Sequence, residues 1–147
     1  TILFETMGHL EEIKIALKMA TDFKTKWLSI ILNNEKKLLS GHNLDSVYKF
    51  SKSKVDCLLM NCNSFEKTNT TLPNFLNEWK SDWGIYPNLG ITEPEPDGTM
   101  DIKISDKLFS ENIDNYIKKT PFIIGSCCGS SPIHTAIIKK HVQKYSN

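Results

Sequence analysis

Arginine is absent from this chain: all 18 of its basic residues are lysines, set against 17 acidic residues for a formal net charge of +1. Planar, bidentate reading of phosphate or guanine is an arginine habit, and balanced charge creates no field that draws in polyanions. Nucleic acid is therefore not an expected partner. Long apolar runs are also missing, and none approaches the roughly 18 residues that a membrane-spanning helix needs. No basic segment leads into a short apolar stretch as a secretory signal would, so neither export nor membrane binding is expected and the expected location is the cytoplasm. Cysteine is scarce, with four at 57, 62, 127 and 128 and no C-x-x-C spacing. The adjacent pair does not suit an ordinary staple between elements, so thiols or metal ligands are expected rather than disulfides. A starting methionine is missing too: Thr1-Ile2-Leu3-Phe4 reads as a strand already under way, which makes a chain lacking its first units the expectation.

What is present suits a globular domain. The 147 residues are 39% hydrophobic with seven glycines, enough for one core and one domain. Five short apolar runs recur at Ile2–Phe4, Trp27–Leu32, Val55–Met60, Trp83–Tyr86 and Phe122–Ile124, their starts 25, 28, 28 and 39 residues apart. Helical patterns separate them. Leu10, Ile13, Leu17 and Ala20 share one face, and Ser130-Ser131-Pro132 is a hydroxyl cap with proline in the first turn of a helix through Ile133, Ile137 and Lys140. Further helices are expected at 43–50, 65–80 and 105–119. Strand and helix alternating in this way predicts α/β architecture with a parallel sheet. The rhythm fits an open five-stranded sheet or five units of an eight-unit (β/α)8 barrel. Residues 87–104, with Pro94, Pro96 and Asp97-Gly98, form a long irregular connection of the kind that is often functional.

In a parallel sheet, sites form beyond the C-terminal ends of the strands. Glu5, Asn61-Cys62, Tyr86 and Cys127-Cys128 all fall there. Three thiolates from two strand ends with one open position would suit a catalytic zinc ion, since a structural site closes the fourth position. The same cysteines also read as buried packing. Glu5 reads as a ligand for a substrate ammonium or as a solvated carboxylate, Asn61 as a ligand-orienting amide or a turn residue, and Tyr86 as pocket lining or core. Cys57 lies within a strand, an odd step from Cys62, and is expected in the core. His134 and His141 are expected on the surface of the last helix. Gly125–Ser131 before that helix could instead cradle a phosphate, without a Walker lysine.

Asn61-Cys62, Tyr86-Pro87-Asn88-Leu89-Gly90 and Gly125-Ser126-Cys127-Cys128-Gly129-Ser130-Ser131-Pro132 resemble, in order and spacing, signatures of the homocysteine S-methyltransferase family. Phe4-Glu5-Thr6-Met7 and Leu39-Ser40-Gly41 with Leu44 are similar to two further family segments. The resemblance implies a (β/α)8 TIM barrel, of which residues 1–147 would supply roughly the last five units as one partial homocysteine-binding domain. It implies Zn2+ held by Cys62, Cys127 and Cys128, homocysteine sulfur accepting a methyl group to give methionine, Glu5 near the substrate amino group and Asn61 beside the first ligand. The partners implied are homocysteine and a small methyl donor, with a missing N-terminal segment or self-association to cover the open barrel. The Tyr-Pro-Asn form is similar to the branch using S-methylmethionine or S-adenosylmethionine and to the homocysteine domain of methionine synthase, and unlike the betaine branch. Ser126, Ser130-Ser131 and Asn63 depart from the commoner family residues, as does Ile91 where an acidic residue is usual. A non-catalytic barrel fragment and an α/β phosphate-binding protein are the rival readings.

Overall fold

A computed structural model describes residues 1–33, 36–91, 100 and 103–145. Its elements alternate without exception: β1 (Ile2–Met7), α1 (Leu10–Met19), β2 (Lys26–Ile30), α2 (Leu44–Ser51), β3 (Cys57–Asn61), α3 (Phe65–Glu78), β4 (Asp82–Tyr86), α4 (Asp106–Ile117), β5 (Ile123–Ile124) and α5 (Pro132–Tyr145). Each strand pairs in parallel with the next, so the sheet order is β1-β2-β3-β4-β5. That sequential order separates the two architectures the rhythm allowed. A doubly wound sheet reverses direction at a switch point, whereas right-handed crossovers that always step to the next strand place every helix on one face. This is five-eighths of a (β/α)8 barrel, with helices outside and a concave inner face.

Strand register sorts the side chains. Phe4, Leu28, Leu58 and Trp83 lie level on the helix side, followed by Ile30, Met60, Ile85 and Ile124. With Ile13, Phe75, Phe109 and Tyr116 from the helices they form the core. Phe65 stacks on Tyr116 and meets Phe109 edge-on, while Phe75 meets both Tyr48 and Trp83 edge-on, so aromatic packing ties α2, α3 and α4 to the sheet. All five residues of β3 are buried, in keeping with its place at the centre of the sheet. The inner face instead carries Leu3, Trp27, Cys57, Leu59, Gly84 and Ile123, with Leu3 40% exposed at the β1 edge and Phe122 59% exposed beside β5.

Two helices begin at capping serines. Ser64 Oγ accepts from the Lys67 N–H and Ser105 Oγ from the Leu108 N–H, each satisfying an N-terminal donor of α3 or α4. α4 and α5 are fastened by Asp114, whose carboxylate accepts from His141, Lys144 and Tyr145 of α5 and from Lys118. Those partners hold the Asp114 carboxyl well below the usual carboxylate range, with the Lys118 hydrogen bond the largest cause. His141 also bonds Ser110 Oγ at 2.8 Å. His134, expected on the surface, is 7% exposed. Its ring packs edge-on against Phe109, and its Nδ1 lies 3.0 Å from the backbone N and from Oγ of Ser131. Much of the irregular connection, including Pro94, Pro96 and Asp97-Gly98, lies outside the described residues. Its ends meet where Ile104 N–H donates to the Leu89 carbonyl.

Candidate metal centre

β3 ends at Asn61, and the next residue, Cys62, adopts left-handed backbone at φ 55°. Continued extension would turn Cys62 toward the helix side, away from the residues at 57, 59 and 61. The left-handed turn redirects it instead. Cys62 Sγ comes 3.6 Å from Cys128 Sγ, Cys127 and Cys128 sulfurs are 3.8 Å apart, and all three lie within 4.8 Å of one another. None is disulfide-bonded. Two thiolates bound tetrahedrally to zinc at about 2.3 Å stand about 3.8 Å apart, so the two sulfur pairs that include Cys128 already stand near the separation of such a centre. Cys57 is fully buried and takes no part; burial pushes its thiol up to about 12.

The double-cysteine loop follows β5 and reaches this arrangement through its glycines in two different ways. Gly129 has φ 79°, which only glycine adopts freely. Gly125 is set in a tight space: a Cβ there would stand 3.1 Å from Tyr86 Cβ, and the neighbour would have to give. Within the cluster the Cys127 thiol is lowered to about 6, with the neighbouring Cys62 thiol the largest cause and Cys128 assisting. The Cys62 thiol is correspondingly pushed up. The N–H groups of Gly125, Cys127 and Ser130 donate to the carbonyls of Ile85, Pro87 and Cys127, and that of Ser131 points to His134. A phosphate cradle would need these donors free.

A polar chain crosses the inner face just below the sulfurs. Tyr86 Oη donates to Ser29 Oγ at 2.8 Å or to Glu5 Oε1 at 3.1 Å, Ser29 Oγ donates to Asn61 Oδ1 at 2.5 Å, and Asn61 Nδ2 donates to Thr6 Oγ1 at 2.7 Å. Asn61 is 1% exposed, with both ends of its amide engaged. Glu5 is exposed, and its charge reaches the Cys127 thiol, so the carboxylate faces the same mouth as the cysteines. Burial, with the Glu5 charge assisting, raises the Tyr86 phenol above its ordinary value, so it stays a neutral donor.

Several contributors carry no signal in the spacing of chemistry-bearing residues. Ser29 is fully buried in β2 and becomes polar lining only through the register that sets it beside Asn61. Thr6 joins through a bulge, at φ 58°, where the β1–β2 register shifts between Phe4 and Met7. Beyond the sulfurs, a cleft of about 610 Å³ opens between the β2–α2 connection, the start of α3 and Asn88, with Cys62 and Lys67 in its lining.

Comparison with known proteins agrees with this architecture. The chain matches solved structures of the homocysteine methyltransferase MmuM from Escherichia coli. The apo form aligns with TM-score 0.74 and 22% identity over 95% of this chain and 48% of that one. The metallated form gives TM-score 0.75 and 21% identity over 94% and 43%, and the oxidised form 0.72 and 20% over 94% and 44%. The chain thus spans less than half the length of these neighbours. Comparison with curated protein sequences gives no significant match. The family model for homocysteine S-methyltransferase covers residues 1–142, and the chain belongs to the homocysteine S-methyltransferase family.

Proposed function

We propose that this chain supplies the metal-binding half of a zinc-dependent enzyme that transfers a methyl group to the sulfur of homocysteine, giving methionine. The observation that carries the reading is the convergence of Cys62, Cys127 and Cys128 sulfurs at separations of 3.6 and 3.8 Å. A three-sulfur donor set with thiolate character suits Zn2+ and leaves a place for one further ligand. Zinc, when bound, supplies a Lewis acid that makes a substrate thiol ionise near neutral pH.

The chain's own residues supply the rest. Cys62, Cys127 and Cys128 hold the ion. Glu5 presents a carboxylate to the ammonium of homocysteine, and Tyr86 orients that carboxylate through its hydroxyl. Asn61 acts one step back, holding Ser29 and Thr6 so that Tyr86 and Glu5 keep their places. The reaction moves a methyl cation equivalent from a small, positively charged donor to the thiolate; the thiol proton is released and the donor's charge is neutralised. No side-chain base is needed once the thiol is ionised. Thiols held reduced match a cytosolic setting.

Zinc per chain, measured on reduced protein washed with a mild chelator, tests the reading. About one zinc per chain is expected, falling to near zero in Cys127→Ala; full retention in that variant overturns the three-cysteine centre. A second reading, a barrel fragment that works as a binding partner, is favoured by the uncovered inner face and by the span of less than half the neighbours' length. It predicts a stable complex with a complementary barrel segment and no methyl transfer from the assembled pair.

A further inference from the structure

We infer that Asn88 is a positioning residue that sets the ligand geometry of the metal centre, and this rests on the metal reading proposed above. The three cysteines come from β3 and from the loop after β5, yet β4 lies between those strands. The end of β4 joins them. Cys62 N–H donates to the Tyr86 carbonyl at 3.1 Å, Cys127 N–H donates to the Pro87 carbonyl at 2.9 Å, and Leu89 N–H donates to the Cys128 carbonyl at 2.9 Å. One side chain completes the set: Asn88 Nδ2 donates to the Cys62 carbonyl at 2.8 Å. Four consecutive residues thus hold the backbone of every proposed ligand.

Among these anchors Asn88 is the one that a substitution can remove, because the others are main-chain groups. It acts on the ligand with the least favourable backbone. Cys62 sits at φ 55°, a region that a residue with a Cβ leaves readily unless its peptide groups are pinned. Tyr86 pins the preceding peptide and Asn88 the following one. Release of the second lets the backbone swing toward extended geometry, which carries Sγ away from Cys128. Asn88 is also held at a cost. It is 8% exposed, and its Oδ1 is buried without a hydrogen-bond partner among the described residues. An apolar side chain of similar size would avoid that orphaned acceptor, so the amide's presence calls for a use, and the bond to Cys62 provides one.

The test uses the reduced chain, Co2+ as the probe and Asn88→Leu as the variant, with affinity taken from competition with a chromophoric chelator and geometry from thiolate-to-cobalt absorption. Loss of an outer partner of a ligand typically weakens metal binding 10–100-fold. Asn88→Leu is expected to bind Co2+ 10–100-fold more weakly with reduced thiolate absorption, while the metal-free variant still unfolds in one cooperative transition. Wild-type affinity and spectrum in folded Asn88→Leu overturn the proposal and leave the metal centre standing. No Co2+ binding by the wild-type chain overturns the metal centre and this proposal with it. Should Asn88→Leu fail to fold, Asn88→Ala carries the same comparison.

Discussion

Thr6 and Cys62 both hold left-handed backbone at strand ends, and one residue, Asn61, is bound to each: to Cys62 by the chain and to Thr6 by a 2.7 Å hydrogen bond. Thr6 is β-branched, which makes its φ of 58° costly and its side-chain bond to Asn61 structurally significant. Asn61→Leu preserves volume while stranding the buried Ser29 hydroxyl proton and the Thr6 contact. It is expected to lower unfolding stability by about 1–3 kcal/mol. Urea denaturation should read this as a reduced midpoint at unchanged slope. The same variant keeps three cysteines and the Asn88 anchor, so its metal affinity should change less than that of Asn88→Leu.

At the scale of elements, one carboxylate gathers three polar contacts from α5. Asp114 meets His141, Lys144 and Tyr145 across the α4–α5 contact and Lys118 within its own helix. Its folded-state pKa is depressed, so its stabilisation is full above the ordinary carboxyl value near 4 and fades as pH falls toward the folded value. Asp114→Asn should therefore melt below wild type at pH 7, by a margin that narrows as pH falls below 4, as thermal melts at pH 7 and pH 2 would read. The elements themselves were largely legible in the sequence. A buried parallel strand is a short apolar run, and β3 is one along its whole length, so its existence was plain and only its ends moved. The expected helix starts at 65 and 105 fall within one residue of those of α3 and α4, where Ser64 and Ser105 accept from first-turn N–H groups. The convergence of Cys62 with Cys127 and Cys128 was legible because equivalent strand ends share one side of a parallel sheet. The turn that achieves it was not, since alternation along a strand predicts the opposite direction for Cys62. His134 shows a second limit. Its neighbours Phe109 and Asp106 come from α4, so its burial is set by tertiary packing that helix periodicity does not register. Asn88 stood within a recognisable motif, but its bond to Cys62 depends on β4 lying between the two ligand-bearing strands.

The molecule as a whole is asymmetric in how its sheet is covered. Helices pack over one face, while the concave face leaves Leu3 and Phe122 exposed and both edge strands unpaired among the described residues. Open edges and apolar surface favour association. The 16.8 kDa chain in isolation is expected to elute above its monomer size in a concentration-dependent way on size-exclusion chromatography. Leu3→Lys, which places charge on the β1 edge, should shift it toward monomer; a strictly monomeric wild type across the micromolar range would refute this. The placement of the ligands has a separate consequence. Cys62, Cys127, Cys128 and the Tyr86–Leu89 segment that joins them all lie in one stretch of chain from β3 to the start of α5. The proposed metal centre is consequently a cassette smaller than a whole barrel. New termini could be opened between α1 and β2, or the units before β3 exchanged for those of another barrel, and every ligand and anchor would still travel together.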